Sequence, residues 1–279
     1  MFFKAKKTKP KKDSFWESSK TILVAFGVAM VLRLIIAEPF KIPSGSMKPT
    51  LLIGDYLYVS KYTNGYSLYS IPQMPEFLGG NYESKLFHWM RDQGWFSGRI
   101  FGKPFEIGQV AVFHGTPTMG EDNKHKLFIK RVVGQPGDRV QVRQGVLYIN
   151  EVPCPQRRIE DYQEETESGR LESVAQFIEI MPNGYEHLIL RRDLEGSSDV
   201  NNTPEYKVPE GHYFMMGDNR DASGDSRHRA SDMEFVPFEQ FLGPAQFTWF
   251  SVKYGIFDLW KVWEWPSIIR GSRIFKWIK

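Results

Sequence analysis

Apolar positions first gather into one run, TILVAFGVAMVLRLIIA, from Thr21 to Ala37, broken only by Arg33. About 17 residues is the short end of what a helix needs to cross hydrocarbon. Arg33 lies close to the end of the run, where a long side chain reaches the interface. The pattern then shortens to strand-sized segments. GDYLYVSKY (54–62), GQVAVFH (108–114) and LFIKRVVG (127–134) are rich in β-branched and aromatic residues. QPGD (135–138) is a turn, and RVQVRQGVLYIN (139–150) alternates about Gly145, which predicts a hairpin. VPEGHYFMMGDNRDASGDSR (208–227) is a strand running into a polar loop. The pattern predicts a mostly β protein, an antiparallel sheet or barrel-like domain, preceded by one N-terminal transmembrane helix.

The same pattern divides the chain. A basic tail (1–20) precedes the anchor (21–37), and a β domain follows in two parts, 38–154 and 207–250. A smaller, more polar lobe is inserted at 155–206, and a basic, aromatic tail covers 251–279. Residues 64–107 are aromatic and glycine-rich, with a short helix expected around ESKLFHWMRD. A cleavable signal peptide would have a shorter apolar core and an A-x-A-like end, and Ile35, Ile36 and Ala37 make a poor one.

Charge refines this picture. The formal net charge of the 279 residues is only +3, yet Lys4, Lys6, Lys7, Lys9, Lys11 and Lys12 crowd one end. That cluster predicts a cytoplasmic N-terminus with everything after Glu38 on the far side of the membrane. Lys261, Arg270, Arg273 and Lys276 lie among tryptophans in the tail, a composition suited either to a bilayer interface or to packing on the β domain. Neither patch accompanies a DNA-reading motif, so the expected partner is an acidic lipid bilayer and not nucleic acid.

Candidate chemistry narrows by exclusion. Cys154 is the only cysteine, so no intramolecular disulfide or thiolate cluster forms. The six histidines are scattered without HExxH, and the twelfth position of a loop beginning at Asn219 is Ala230, where a calcium loop needs glutamate. No metal and no cofactor are expected. GxSxG, SxxK, GxxxxGKS/T and GxGxxG are absent.

KIPSGSMKPTLL (41–52) holds Ser44 and Ser46 two apart. In an extended chain both would point to one face, and the flanking prolines favour a straight, accessible segment. A linker or turn has the same composition. Lys130, set among Phe128, Ile129, Val132 and Val133, is expected to be buried, which would lower its pKa enough for it to serve as a base. A lysine snorkelling from an edge strand reads the same way locally.

Four blocks in order resemble the bacterial type I signal peptidases: the anchor, IPSGSMKPTLLIGDYLYVSK, FIKRVVGQPGDRV with VLYIN, and VPEGHYFMMGDNRDASGDSR. They cover a little under half of the chain. The resemblance implies a β catalytic domain that cleaves signal peptides from exported preproteins after small residues, through an acyl-enzyme. It implies Ser46 as nucleophile, Lys130 as general base, and Ser44 with the Ser46 N–H as oxyanion donors. Ser223 would orient the lysine, with Asp225 and Arg227 as a supporting ion pair. Phe40, Ile42, Met47, Leu51, Val112, Phe128 and Ile129 would line shallow pockets for the substrate, although each is equally a candidate for β core. The implied location is the bacterial cytoplasmic membrane, single-pass, with the site outside. No protein partner is named.

Three features depart from the commoner pattern of that family: SRHRASDMEFVP after the polar loop, Gln109 after a glycine, and a single membrane segment. A silent peptide-binding module and a soluble, self-cleaving regulator are the competing classes. The intact Ser44, Ser46, Lys130 and Ser223 set opposes the first, and the anchor opposes the second.

Overall fold

In the computed structural model, which describes residues 15–70, 98–115, 126–166, 169–228, 235–253, 263 and 265–278, the chain begins with helix α1 (Phe15–Ile35). The segments around ESKLFHWMRD, the first lysine cluster and residues 229–234 of SRHRASDMEFVP lie outside the described residues. The helix does not share the bounds of the expected span, 21–37. The helix starts earlier, taking in Glu17 and Lys20, and the chain is already a strand at Ala37. Between Lys20 and Arg33 only the twelve residues Thr21–Leu32 are uncharged, a rise of about 18 Å against about 30 Å of hydrocarbon. Among the described residues, no helix is long and apolar enough to cross a membrane. Ile22, Leu23, Val24, Phe26, Val28 and Val31 are all exposed on α1.

The strands are β1 (Ala37–Lys41), β2 (Asp55–Ser60), β3 (Val110–His114), β4 (Leu127–Gly134), β5 (Arg139–Arg143), β6 (Val146–Ile149), β7 (Val152–Pro153) and β8 (Gln156–Arg158). They continue with β9 (Tyr162–Glu165), β10 (Leu171–Ile180), β11 (Glu186–Arg191), β12 (Tyr206–Lys207), β13 (His212–Met216), β14 (Val236–Pro237), β15 (Phe241–Ser251) and β16 (Lys276–Trp277). Every pairing between them is antiparallel. The main sheet has eight strands in the order β1-β2-β15-β3-β4-β13-β14, with β16 also on β15. No pairing joins β1 to β14 among the described residues, so the sheet is open rather than a closed barrel.

Alternation explains how this sheet is covered on both sides. On β3, Val110 and Val112 enter one cluster with Ile42, Met47, Leu51 and Leu57, while Ala111 and Phe113 enter another with Phe105, Tyr213 and Phe241. Truncating one such side chain to alanine typically costs about 2–5 kcal/mol. The hairpin read from RVQVRQGVLYIN is β5–β6, with Arg143 opposite Val146. Gln144 and Gly145 both take positive φ, 49° and 76°, as a type I′ turn requires. This hairpin forms a second sheet with β7 and β12, over a core of Val140, Val142, Leu147 and Ile149. Cys154 is buried in the same core, and burial pushes its thiol up to about 12.

The inserted segment builds a third sheet, β11-β10-β8, with β9 against the first half of β10. The described part of the C-terminal tail packs on the main sheet. β16 pairs with β15, and Trp277 meets Phe247 edge-on at 5.5 Å. Arg273 reaches Asp55, which is fully buried, with Nε 3.0 and 3.1 Å from its two oxygens and Nη2 2.5 Å from Oδ2. Its Nη2 also donates to the Thr50 carbonyl at 2.8 Å. Trp263, Trp265, Phe275 and Trp277 nevertheless remain exposed.

Replacing Arg273 by methionine removes the nearest cation from the buried Asp55 carboxylate, leaving it the Ser251 hydroxyl at 2.6 Å, the Leu52 N–H at 2.8 Å and Arg270 Nη1 at 4.0 Å. The expected loss is about 3–5 kcal/mol, measured as a lower urea midpoint for the full chain in detergent.

Candidate active site

The segment that carries the two serines is not straight. Ile42 N–H donates to Asp55 O at 2.8 Å and Gly54 N–H to Ile42 O at 3.0 Å, which ties the loop's ends together. Between them the chain turns on itself, with Lys48 N–H to Gly45 O at 3.1 Å and Leu51 N–H to Met47 O at 2.9 Å. The reason is apolar. Met47 and Leu51, one helical turn apart, are both fully buried in one cluster, and the turn draws together two side chains that an extended chain would set about 13 Å apart. Ser46 is therefore buried, against the expectation of an accessible serine, while Ser44 is exposed. Their hydroxyl oxygens are 3.4 Å apart.

Lys130, in the middle of β4, brings Nζ to 2.6 Å from Ser46 Oγ across 84 residues of sequence. Only 4% of the lysine is exposed. Burial lowers its pKa to about 8; Asp225 pulls it up, Arg227 pushes it down, and Asp218 pulls it up again. The two carboxylates do not outweigh desolvation because each is already claimed by an arginine.

Those ion pairs organise the polar loop after β13. Arg227 meets Asp225 through Nε at 2.9 Å and Nη2 at 2.8 Å, and the Gly217 N–H donates to Asp225 Oδ2 at 3.0 Å. Burial alone would raise the Asp225 carboxyl, but Arg227 and these hydrogen bonds bring it down to about 2. Arg131, next to Lys130 on β4, grips Asp218 with Nε at 2.8 Å and Nη2 at 2.7 Å, and Thr50 Oγ1 donates to the same carboxylate at 2.5 Å. Asn219 holds the nucleophile's turn directly. Its N–H donates to Ser46 O at 3.1 Å and its side-chain amide to Gly45 O at 3.0 Å. Gly217 is required by space: a Cβ there would lie 2.2 Å from Ser223 Oγ and 2.6 Å from Ser46 O.

Ser223 does not fill its expected place. It is buried, at the end of a single 3-10 turn (Arg220–Ala222), and its hydroxyl has no hydrogen-bond partner among the described residues. Packed against Gly217, it makes no bond to Lys130. The seven expected pocket residues also separate. Ile42, Met47, Leu51, Val112 and Ile129 are buried together, with Phe40 packed against them. Phe128 lies with Phe113, rings 6.0 Å apart, in the cluster on the other side of the sheet. Consecutive residues of a strand face opposite ways, so Phe128 and Ile129 cannot line one pocket.

Arg131, Asp218 and Asn219 were missed as individual functional residues. The available signal was Arg131 itself: a guanidinium in an apolar strand must find a carboxylate, and the block GDNRD supplies one. Gln109, one of the departures, accepts the Glu106 N–H on Oε1 at 3.1 Å and so stabilises the turn before β3. Among the described residues no group of three or more His, Cys, Asp or Glu side chains is placed to hold a metal ion.

Comparison with known proteins gives this geometry its context. The family model for signal peptidase, peptidase S26, matches residues 15–250. Signal peptidase I of Rickettsia prowazekii (strain Madrid E) is 36% identical over 278 residues, covering 93% of this chain and 95% of its own. That of Rickettsia akari (strain Hartford) is 33% identical over 290 residues, covering 98% and 95%. A solved signal peptidase I from Enterococcus faecalis V583 is 26% identical, covers 51% of this chain and 97% of its own, and has a TM-score of 0.28. With a family match spanning most of its length and relatives aligned nearly end to end, the chain belongs to the peptidase S26 family of signal peptidases and is a serine endopeptidase.

Proposed function

We propose that this endopeptidase removes N-terminal signal peptides from exported preproteins by a Ser46/Lys130 dyad, while attached to the bacterial cytoplasmic membrane. The observation that carries the reading is the 2.6 Å approach of the buried Lys130 Nζ to Ser46 Oγ. Neutral Lys130 takes the Ser46 proton as Oγ attacks the scissile carbonyl. The Ser46 N–H, which bonds to no group among the described residues, and the Ser44 hydroxyl then face the oxyanion; such a donor is worth about 2.7–4 kcal/mol. The ammonium of Lys130 returns its proton to the departing amine, leaving an acyl ester on Ser46. Lys130 then activates water for deacylation.

Magnitude favours lysine as the base. At pH 7 an amine with a pKa of about 8 is neutral roughly one-tenth of the time, against about one part in three thousand at its ordinary value. In this scheme Asp225, Arg227 and Arg131–Asp218 are positioning groups, and Ser223 becomes a hydroxyl that can turn towards Lys130 when substrate enters. The substrate lies extended beside the strands, with small side chains against the cluster of Ile42, Val112 and Ile129.

Membrane attachment is supported by the exposed apolar side chains of α1 and the exposed indoles of Trp263, Trp265 and Trp277. Lys20 and Arg33 are of the type that snorkels, which extends the reach of a short apolar core. The basic N-terminus is then cytoplasmic and the site extracytoplasmic.

Cleavage of a preprotein by the purified full chain tests the dyad. Ser46→Ala and Lys130→Ala should both lose turnover while unfolding at an unchanged urea midpoint or a higher one for Lys130→Ala; full activity in either overturns the assignment. The pH dependence has a definite sign, because the active form of Lys130 is the deprotonated one. Below about pH 8, kcat should rise about tenfold per unit and then level off. A limb that continues towards pH 10.5 would mean that the lysine is not kept dry.

A further inference from the structure

We propose that the inserted lobe holds the turn of the nucleophile through Glu164, which makes Glu164 a positioning residue for Ser46. This rests on the Ser46/Lys130 reading and gives the third sheet a part in it. Glu164 lies on β9, an outer strand of that sheet opposite Glu172 of β10, and is turned in from solvent while Gln163 and Glu165 are exposed. Its two carboxylate oxygens are shared between two cations. Lys48 Nζ, 116 residues away in sequence, is 2.7 Å from Oε1, and Arg192 Nη2 reaches Oε2.

Both cations lead back to the serine. Lys48 is two residues after Ser46, and its side chain folds over Gly45, where a Cβ would meet its Cε at 3.1 Å. Arg192 Nη1 donates to Asn219 Oδ1 at 2.6 Å, and Asn219 in turn holds the Gly45 carbonyl at 3.0 Å and the Ser46 carbonyl at 3.1 Å. The circuit Lys48–Glu164–Arg192–Asn219–Gly45 is closed by the backbone turn that contains Ser46. Arg192 is itself pinned, since its N–H donates to Asp221 Oδ2 at 2.5 Å. The ring is thus fixed to the polar loop at one point and to the lobe at another.

Charge-assisted bonds of this kind are stronger than neutral ones when partly shielded. The side chains of Lys48 and Glu164 are only 16% and 14% exposed. An exposed pair would contribute almost nothing; this one bears on backbone carbonyls on either side of the Ser46 nitrogen. Without Glu164, Lys48 loses its anionic partner and Arg192, which donates to Asn219 Oδ1, loses the carboxylate that fixes the other end of its guanidinium, so the turn is free to shift by a fraction of an ångström. Displacement of about 1 Å between reacting groups can cost on the order of a hundredfold in rate.

The test uses the full chain in detergent with an extended peptide carrying small residues before the cut. Glu164→Gln and Lys48→Met should each lower kcat roughly tenfold or more, with KM changed less than about twofold and the acid limb still at about pH 8. The double variant should be no slower than the slower single one, because both break the same ring. A Glu164→Gln enzyme with kcat within about twofold of wild type, a loss expressed in KM, or multiplied losses in the double variant would overturn the proposal. So would a loss that disappears when rates are divided by the folded fraction. Ser46→Ala run in parallel separates the two ideas. Residual turnover there sinks the dyad, whereas a dead Ser46→Ala beside an unimpaired Glu164→Gln sinks the role of Glu164 alone.

Discussion

A lysine kept out of water is the constraint to which the rest of this fold answers. Lowering Lys130 from 10.5 to about 8 corresponds to about 3 kcal/mol of penalty on the charged form. By linkage, that penalty weighs on the folded state below about pH 8 and fades as the pH rises towards 10.5, because the unfolded chain binds the extra proton. The surroundings keep the lowering from being undone. Asp225 and Asp218 both favour the ammonium, and left bare they would hold it protonated. Each is instead neutralised through a two-pronged bond to an arginine, Arg227 or Arg131. The carboxylates can then serve as hydrogen-bond acceptors for Gly217 N–H and Thr50 Oγ1 without imposing their full field on the base.

The partner of that amine is held with equal care, and from several directions. Met47 and Leu51 press the turn of Ser46 into the core, Asn219 takes its carbonyls, and Arg273 takes the carbonyl of Thr50, four residues after Ser46. Arg273 comes from the C-terminal segment, whose composition suits a bilayer interface. Both properties coexist there. The buried guanidinium faces inward to Asp55 while the indoles of Trp265 and Trp277 face outward, so the segment connects the outer surface to the loop of the nucleophile.

Local pattern was enough for much of this and not for the remainder. The hairpin at Gln144–Gly145 was legible because its turn demands positive φ and its strands alternate. The burial of Lys130 was suggested by Phe128, Ile129, Val132 and Val133 around it, although a lysine snorkelling from an edge strand reads the same way locally. The turn at Ser46 was misread as extended, since the prolines carry a local preference while the burial of Met47 and Leu51 is a tertiary effect. Phe128 was grouped with Ile129 by resemblance even though strand geometry separates them. The partners of Arg131 and Lys48 are 87 and 116 residues away, beyond the reach of any periodicity.

The path from α1 to the site is short and stiff. Only Ile36 separates the end of α1 from β1, which pairs with β2 along its whole length from Ala37–Ser60 to Lys41–Tyr56. At this junction Lys61 N–H donates to the Ile36 carbonyl at 3.1 Å, and Lys61 Nζ meets Glu38 at 2.8 Å in a buried ion pair. A buried pair adds little net stability but is costly to break on one side, so it fixes a geometry more than it strengthens one. β1 then delivers the chain straight into Ile42, whose N–H bonds to Asp55 O at 2.8 Å. A surface that holds α1 is thus joined to the loop of Ser46 by a single residue and one fully paired strand.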